Sequence, residues 1–365
     1  MKLYAWFAVY ALLMLEALGV ALALAPLTIR LARRWGVLAY PGGRHAHREP
    51  MPVLGGLAIS GAFVGVIFFN LALAHLFHPL VARYLPEVGE YLVNIPSCLG
   101  RLTAILIGAL GVVVLGVLDD RRPLGPWLKL WVMILLTVPL LLAGIRIQGF
   151  LPWPWLGALV TVFWIVLLMN SFNFLDNMDG LCAGVALIVT LAFALVGLFS
   201  GKWFMTALYA VLAGGLLGFL RYNLPPARLF MGDNGSLFIG YLLGCLSVLS
   251  TYYEPGVPTC WPVLTPVLVL GLPLFDTISV LWIRFRSGKP LMQGDRNHFS
   301  HRLTDLGMSH GQTLAFIYIT TAVVALGAVP LRTVGRAGAL ALLAQTVLIF
   351  WILYRIERTA SRKSN

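Results

Sequence analysis

The stretch WIVLLMNSFNFLDNMDGL, residues 164–181, decides the fold class and points to the functional site. Its first half is typical of the end of a membrane helix, and another apolar run follows it. Between the runs stand Asn170, Asn173, Asp176 and Asp179, spaced three residues apart. Carboxylates beside a membrane are costly unless they bind something, so the segment predicts the floor of a polar pocket. Amides that only cap a helix end are the structural alternative.

The spacing of these four side chains limits how they can meet. Three steps of three residues turn an α-helix through about 900°, so Asn170 and Asp179 would lie about half a turn apart on a continuous helix. All four can converge only if the helix ends or tightens near Asn173.

The composition of the whole chain is that of an integral membrane protein. It has 365 residues, of which 59% are hydrophobic and 11% charged, whereas soluble domains contain about 25% charged residues. A membrane helix needs about 20 apolar residues. We therefore predict an all-α polytopic membrane protein with about eleven spans, at residues 5–29, 54–77, 99–118, 127–145, 154–172, 181–200, 203–220, 234–252, 262–283, 312–330 and 336–355.

The same pattern predicts one membrane-embedded domain over residues 1–365, because no linker, repeat or low-complexity segment interrupts it. The first apolar run is too long and carries too little flanking positive charge for a signal peptide, so we interpret it as a retained helix. The four cysteines form no C-x-x-C pair and indicate no zinc site.

The distribution of lysine and arginine predicts the orientation. With the N-terminus outside and the C-terminus cytoplasmic, most basic residues fall on inner segments, as the positive-inside rule requires. The basic residues left outside are Lys2, Arg83, Arg101, Arg146, Lys202, Arg332 and Arg336. The net charge of +12 is then mainly this bias, and we expect no nucleic-acid partner.

Half of the fourteen acidic residues are aspartates that this topology places on the inner face. They are Asp119, Asp120, Asp176, Asp179, Asp233, Asp295 and Asp305. Aspartate is a hard oxygen ligand of the kind that Mg²⁺ prefers, and Mg²⁺ also binds substrate phosphates. The clustering predicts a metal–phosphate site at the cytoplasmic surface of the inner membrane.

Two further segments bring carboxylates to that face. In GVLDDRRPLGPWLKL, residues 116–130, Asp119 and Asp120 end one helix and Lys129 begins the next. This pair is a general base or metal ligand, or else a charged helix end. In RYNLPPARLFMGDNGSLFIG, residues 221–240, Asp233 precedes a helix that it could cap. Capping does not account for the neighbouring Asn223 and Arg228.

The last large loop combines histidines with basic residues. His298 and His301 lie three apart, between Arg296 and Arg302, with His310 further on. Without a cysteine or a third ligand at helical spacing, this arrangement favours contacts with phosphate over zinc. Asp276 lies within a predicted helix, and its role is left open.

These pieces together resemble the polyprenyl-phosphate N-acetylhexosamine-1-phosphate transferase family. Within it, the chain is most similar to bacterial undecaprenyl-phosphate N-acetylglucosamine-1-phosphate transferases. The similarity runs in the family's order from about residue 30 to 312. The matching pieces are HREPMPVLGG, GVLDD followed by Lys129, NFLDNMDGL, FMGDNGS, PLFDT and DRNHFSHRLTDLGMSHGQ.

The resemblance implies a Mg²⁺-dependent enzyme, with Mn²⁺ as an alternative metal. It would transfer N-acetylglucosamine 1-phosphate from UDP-N-acetylglucosamine to undecaprenyl phosphate and release UMP. This reaction would be the first membrane step in the synthesis of a cell-envelope glycan such as lipopolysaccharide, O-antigen or teichoic acid. A homodimer is left open.

The resemblance also assigns roles by motif. Asp233 and Asn173 would hold the metal, and Asp119 and Asp120 would face the acceptor phosphate. At the nucleotide sugar the resemblance places Asn173, which thus has two roles, with Asp176, Asp179 and Asn223. It places His298 and His301 near the diphosphate. The cations that would bind substrate are Lys129, Arg296 and Arg302.

Two positions depart from the family pattern. Ser300 stands where another histidine is usual, and Asn177 stands where glycine is common. Two alternatives remain: a phospho-MurNAc-pentapeptide transferase, whose histidine run differs, and a polytopic transporter, whose ionisable groups should lie near the bilayer midplane.

Overall fold

Each apolar run predicted from the sequence is helical over most of its length. The computed structural model describes residues 3–40, 49–93, 95–147, 153–250, 260–292 and 297–361. Its helices are α1 (Leu3–Trp35), α2 (Gly55–Tyr84), α3 (Pro86–Val93), α4 (Ile95–Arg121), α5 (Pro126–Leu135), α6 (Val138–Leu142), α7 (Pro154–Leu175), α8 (Leu181–Phe199), α9 (Trp203–Asn223), α10 (Asp233–Leu249), α11 (Thr265–Val269), α12 (Gly271–Arg286), α13 (Phe299–Asp305), α14 (His310–Leu326) and α15 (Arg336–Ser361).

Eight helices in the described ranges are long and apolar enough to cross a membrane, and a ninth span results if the bent pair around α11 and α12 crosses as one. The bend in that pair is 68°. Two further apolar segments, Pro126–Leu142 and Asp233–Leu249, are shorter. The prediction of an all-α polytopic membrane protein is confirmed.

Helix α10 forms the centre of the bundle. Every residue from Asn234 to Ser247 is buried, and a helix that is apolar on all sides is expected in such a position. It packs against α7, α4 and α2. Gly116 of α4 permits a close approach, because a Cβ atom there would lie 2.2 Å from the Cα atom of Asn234. The carboxyl end of α4 is thereby held against the first turn of α10.

The loops at this end of the bundle are joined through backbone hydrogen bonds. Strands β1 (Leu38–Ala39) and β2 (Met51–Pro52) form an antiparallel pair after α1. Phe230 N–H donates to the carbonyl of Pro52 at 2.8 Å, and Gly56 N–H donates to the carbonyl of Met231 at 3.0 Å. The loop before α2 and the loop before α10 are thus fixed to each other.

Candidate active site

Asp119 and Asp120 end α4 side by side but make different contacts. Asp119 accepts hydrogen bonds from Leu124 N–H at 2.6 Å and from Lys129 Nζ at 2.8 Å. One of its oxygens thus closes the turn between α4 and α5, and the other forms an ion pair with the first turn of α5.

Asp120 instead holds the N-terminus of α10. Its carboxylate accepts from the backbone N–H groups of Asp233 at 2.9 Å and Asn234 at 3.1 Å, and from the Asn234 side-chain amide at 2.6 Å. A carboxylate at a helix N-terminus satisfies unpaired N–H groups and interacts favourably with the helix dipole. The sequence suggested that Asp233 caps this helix; the structure shows that Asp120, from another helix, does so.

Gly232 permits the turn into α10. Its φ is +71°, and a Cβ atom there would lie 2.3 Å from the carbonyl oxygen of Val53 and 2.7 Å from Asp120 Oδ2. Only glycine adopts this conformation readily. The glycine of the FMGD piece therefore lets the capping carboxylate reach the helix.

Lys129 and Asp233 connect four helices at this point. The Lys129 ammonium group bonds to the carboxylates of both Asp119 and Asp233. The other oxygen of Asp233 accepts from the Asn173 side-chain amide at 2.8 Å, and that amide also donates to Ser236 Oγ at 3.1 Å. One polar network thus joins the end of α4, the start of α5, the end of α7 and the start of α10.

Residues 170–181 carry the four polar side chains that are spaced three apart in the sequence. Helix α7 continues to Leu175, so the four polar side chains do not all converge. Asn170 lies apart from the network, because its amide donates to the carbonyl of Val166 at 2.8 Å. Asp176 follows the helix as its C-cap. Burial raises the pKa of the Asp176 carboxyl group to about 8, and the charges of Asp233 and Asp120 add to the rise.

Asp179 and Asn223 fix the loop that leads into α8. Asp179 Oδ2 accepts from Ala227 N–H at 3.2 Å. Asn223 is buried, accepts from Gly180 N–H at 3.0 Å and donates to the carbonyl of Leu229 at 3.0 Å. These contacts join the segment after α7 to the segment before α10. Direct binding of the donor by Asp179 and Asn223 stays a prediction.

His298 enters the bundle rather than remaining on a surface loop. Its Nδ1 lies 3.1 Å from Asp276 Oδ2, and its ring meets Phe174 edge to face with centroids 5.4 Å apart. Phe174 adjoins Asn173, so the histidine segment lies next to the carboxylate network. Arg284 is a buried arginine, and its guanidinium carbon lies 5.2 Å from the centroid of the Phe174 ring.

The two departures from the family pattern contact each other. Ser300 Oγ donates to Asn177 Oδ1 at 2.6 Å, and Asn177 also donates to the carbonyl of Phe174 at 2.6 Å. Where the family usually has a histidine, Ser300 therefore forms a hydrogen bond between α13 and the segment after α7.

The remaining predicted cations have different surroundings. Arg302 donates to Ser279 Oγ at 3.0 Å and to the carbonyl of Asn297, so it holds α13 against α12. His301 is partly buried on α13. Arg296 and Asp295 lie outside the described residues. Phosphate binding by Arg296, His301 and Arg302 stays a prediction.

The residues around Asp233 fit a magnesium ion that is completed by a substrate. Among the described residues, no three His, Cys, Asp or Glu side chains are grouped to hold a metal by themselves. Mg²⁺ is commonly bound by one or two carboxylates, with waters and substrate phosphates completing the octahedron. Asp233 offers one such carboxylate, and its Oδ1 accepts a hydrogen bond from the Asn173 side-chain amide. Mn²⁺ accepts the same oxygen ligands.

Sequence reasoning missed the structural partners of the site. The sequence alone leaves the role of Asp276 open and does not single out Ser236, Asn234 and Arg284 as site residues. The signal available for Asp276 was its rarity, because an ionisable residue inside an apolar helix is expected to have a partner.

Comparison with known proteins places these residues in a family. Residues 102–251 match the profile of glycosyl transferase family 4. The chain is 32% identical over 320 residues to the "Probable undecaprenyl-phosphate N-acetylglucosaminyl 1-phosphate transferase" of Bacillus subtilis, covering 86% of this chain and 82% of the relative. It is 31% identical over 324 residues to the "Decaprenyl-phosphate N-acetylglucosaminephosphotransferase" of Mycobacterium tuberculosis (82% and 76% covered). It is 24% identical over 313 residues to the "Undecaprenyl-phosphate alpha-N-acetylglucosaminyl 1-phosphate transferase" of Escherichia coli (82% and 77% covered).

Proposed function

The chain belongs to glycosyl transferase family 4, and from this membership we infer that it transfers N-acetylglucosamine 1-phosphate to a polyprenyl phosphate in a membrane. The observation that carries the inference is the network of Asp119, Lys129, Asp233 and Asn173. It unites three separate sequence pieces at one end of the bundle, where a lipid phosphate can meet a polar donor.

We propose UDP-N-acetylglucosamine as the donor. An oxygen of the acceptor phosphate forms a bond to the sugar-linked phosphorus, the bond from that phosphorus to the bridging oxygen breaks, and UMP leaves with the electron pair. Catalysis of such a transfer depends mainly on positioning and on stabilising the charge of the phosphate oxygens. Lys129 supplies a fixed positive charge at the network, and Asp120 fixes the backbone that carries Asp233.

Mg²⁺ is part of the proposal. Asp233 and Asn173 would hold it, and it would neutralise charge on the donor diphosphate. The concentration of carboxyl groups supports this assignment. Asp120 and Asp176 lie close to Asp233, and the Lys129 ammonium group bonds to Asp233 and Asp119.

We propose eleven spans, with the N-terminus outside and the site on the cytoplasmic face of the inner membrane. Helix α4 ends, α5 begins and α7 ends at the network. A crossing by Pro126–Leu142 is consistent with this order, since it would return the chain to the far end of the bundle between α5 and α7. Helix α10 also begins at the network, and Arg284 near the end of α12 contacts Phe174. These contacts support a further crossing by Asp233–Leu249.

The function is tested with the purified full-length protein in detergent. It is incubated with Mg²⁺, undecaprenyl phosphate and, separately, UDP-N-acetylglucosamine, UDP-N-acetylgalactosamine and UDP-MurNAc-pentapeptide, and UMP release is measured. We expect lipid-dependent release with UDP-N-acetylglucosamine. Release only from the MurNAc-pentapeptide donor would assign the chain to the other branch, and no lipid-dependent release from any donor would refute the transferase assignment.

A further inference from the structure

Asp276 is a buried carboxylate that the proposed reaction does not use. It lies on α12 and is 1% exposed. Its two oxygens have separate partners: Oδ2 lies 3.1 Å from His298 Nδ1, and Oδ1 accepts from Phe299 N–H at 2.6 Å. A carboxylate is expensive to bury unless it is hydrogen-bonded, so both contacts are needed to keep it inside the bundle.

The first contact fixes the chemical form of the histidine. A carboxylate beside Nδ1 requires a proton on that nitrogen, and in the neutral ring this leaves Nε2 without a proton. Nε2 can then accept a proton or, in the charged ring, donate a hydrogen bond to an anion. The Nδ1 contact also stops the ring from rotating about its bond to Cβ.

The second contact fixes the backbone. Phe299 begins α13, and its N–H group is one that a helix leaves unpaired. Asp276 therefore anchors the start of α13 and the His298 ring at the same time. The bond from Ser300 to Asn177 also connects this helix to the segment after α7.

We propose that Asp276 is a positioning residue of the transfer reaction and acts through His298. It holds the imidazole in the form protonated on Nδ1, against Phe174, so that Nε2 is available to the diphosphate. This rests on the proposed function, since it assigns His298 to that substrate. Carboxylates that orient a metal-binding histidine in this way typically contribute 10- to 100-fold to metal affinity or activity, and we expect an effect of the same order for His298.

The first experiment reads the form of the ring without activity. Protein with ¹⁵N-labelled histidine is examined by NMR at a pH high enough to keep the ring neutral, and the His298 signals are assigned by their loss in His298→Gln. We expect the proton on Nδ1 in the native protein. In Asp276→Asn the amide can donate to Nδ1, so we expect the proton to move to Nε2. A native ring protonated on Nε2 overturns the proposal.

The second experiment is a double-mutant cycle on UMP release, using Asp276→Asn, His298→Gln and the double variant. We expect Asp276→Asn to lower kcat by about 10- to 100-fold, and the double variant to match His298→Gln within about twofold, because residues that act as a unit are not additive. Glu90→Gln makes the same carboxylate-to-amide change at an exposed residue of α3. It is the control and should match the native protein.

The outcomes separate the two levels of inference. Additive losses, or native activity in Asp276→Asn, would show that Asp276 does not act through His298, while native transfer would still stand. Absence of UMP release from the native protein would refute the proposed function, and the NMR result would still decide how Asp276 and His298 interact.

Discussion

Replacing Asp120 with alanine should destabilise the folded protein, because it removes the carboxylate that caps α10 from another helix. The backbone N–H groups of Asp233 and Asn234 lose their acceptor, whereas the Asn234 side-chain amide still donates to the carbonyl of Val53 at 2.9 Å. A buried polar group left without a partner costs about 1–3 kcal/mol, so the two backbone groups alone cost about 2–6 kcal/mol. Relief of the repulsion between Asp120 and Asp233 offsets part of this, and we expect a net loss of about 2–4 kcal/mol in the free energy of unfolding.

The assay is denaturant unfolding of the purified protein in detergent, followed by tryptophan fluorescence. Asp120→Asn keeps one acceptor oxygen and should lose less than the alanine variant. Asp305→Ala, at an exposed aspartate, is the control and should fall within about 0.5 kcal/mol of the native protein, as surface substitutions usually do. An Asp120→Ala protein as stable as this control would refute the capping role.

Three further predictions concern the metal, the pH dependence and the topology. Asp233→Asn should lower kcat by at least about 10²-fold, and full activity of that variant in a Mg²⁺ titration of UMP release would remove Asp233 from the metal site. Because burial raises the pKa of Asp176 to about 8, the folded protein holds a proton that the unfolded chain releases near pH 4. The free energy of unfolding without substrate should therefore fall as pH rises from about 4 to about 8. Asp176→Asn should flatten this dependence when unfolding is measured across that pH range. An unchanged slope would contradict the raised pKa of Asp176. The orientation is tested with single cysteines in a background without native cysteines, labelled by an impermeant thiol reagent in intact cells and in inverted vesicles. We expect Ser287→Cys to react only from the cytoplasm and Gly335→Cys only from outside. The reverse pattern would overturn the orientation.

The positions of the membrane helices could be predicted from hydropathy, but their ends and breaks could not. Helix α1 continues to Trp35, past the predicted end at residue 29, because a helix already formed can extend through polar residues such as Arg30 and Arg33. The predicted span 127–145 is broken between α5 and α6. Pro139, which lacks a backbone N–H, stands at the break. Hydropathy averages over such features.

The residues of the network could be selected from the sequence, but their arrangement could not. Asp119, Lys129, Asp233 and Asn173 were all selected from the sequence, and the structure brings them into one network. Their partners depend on contacts that no local pattern contains. Asp120 bonds to a residue 113 positions away, and this requires the close approach of α4 and α10.

The charge of the network links the binding of Mg²⁺ to the binding of the sugar-nucleotide donor. Lys129 joins Asp119 to Asp233, so the two helices that carry them are held together before any substrate binds. That single positive charge does not balance the neighbouring carboxyl groups. Burial raises the pKa of Asp176, and the charges of Asp233 and Asp120 add to the rise. A diphosphate adds further negative charge, so donor binding requires either protons or a cation at this place. Two ligands of opposite charge that share a site each raise the affinity of the other by the same factor. Calorimetric titration of UDP-N-acetylglucosamine should therefore give tighter binding with Mg²⁺ than without it, and an affinity independent of Mg²⁺ would contradict a shared site.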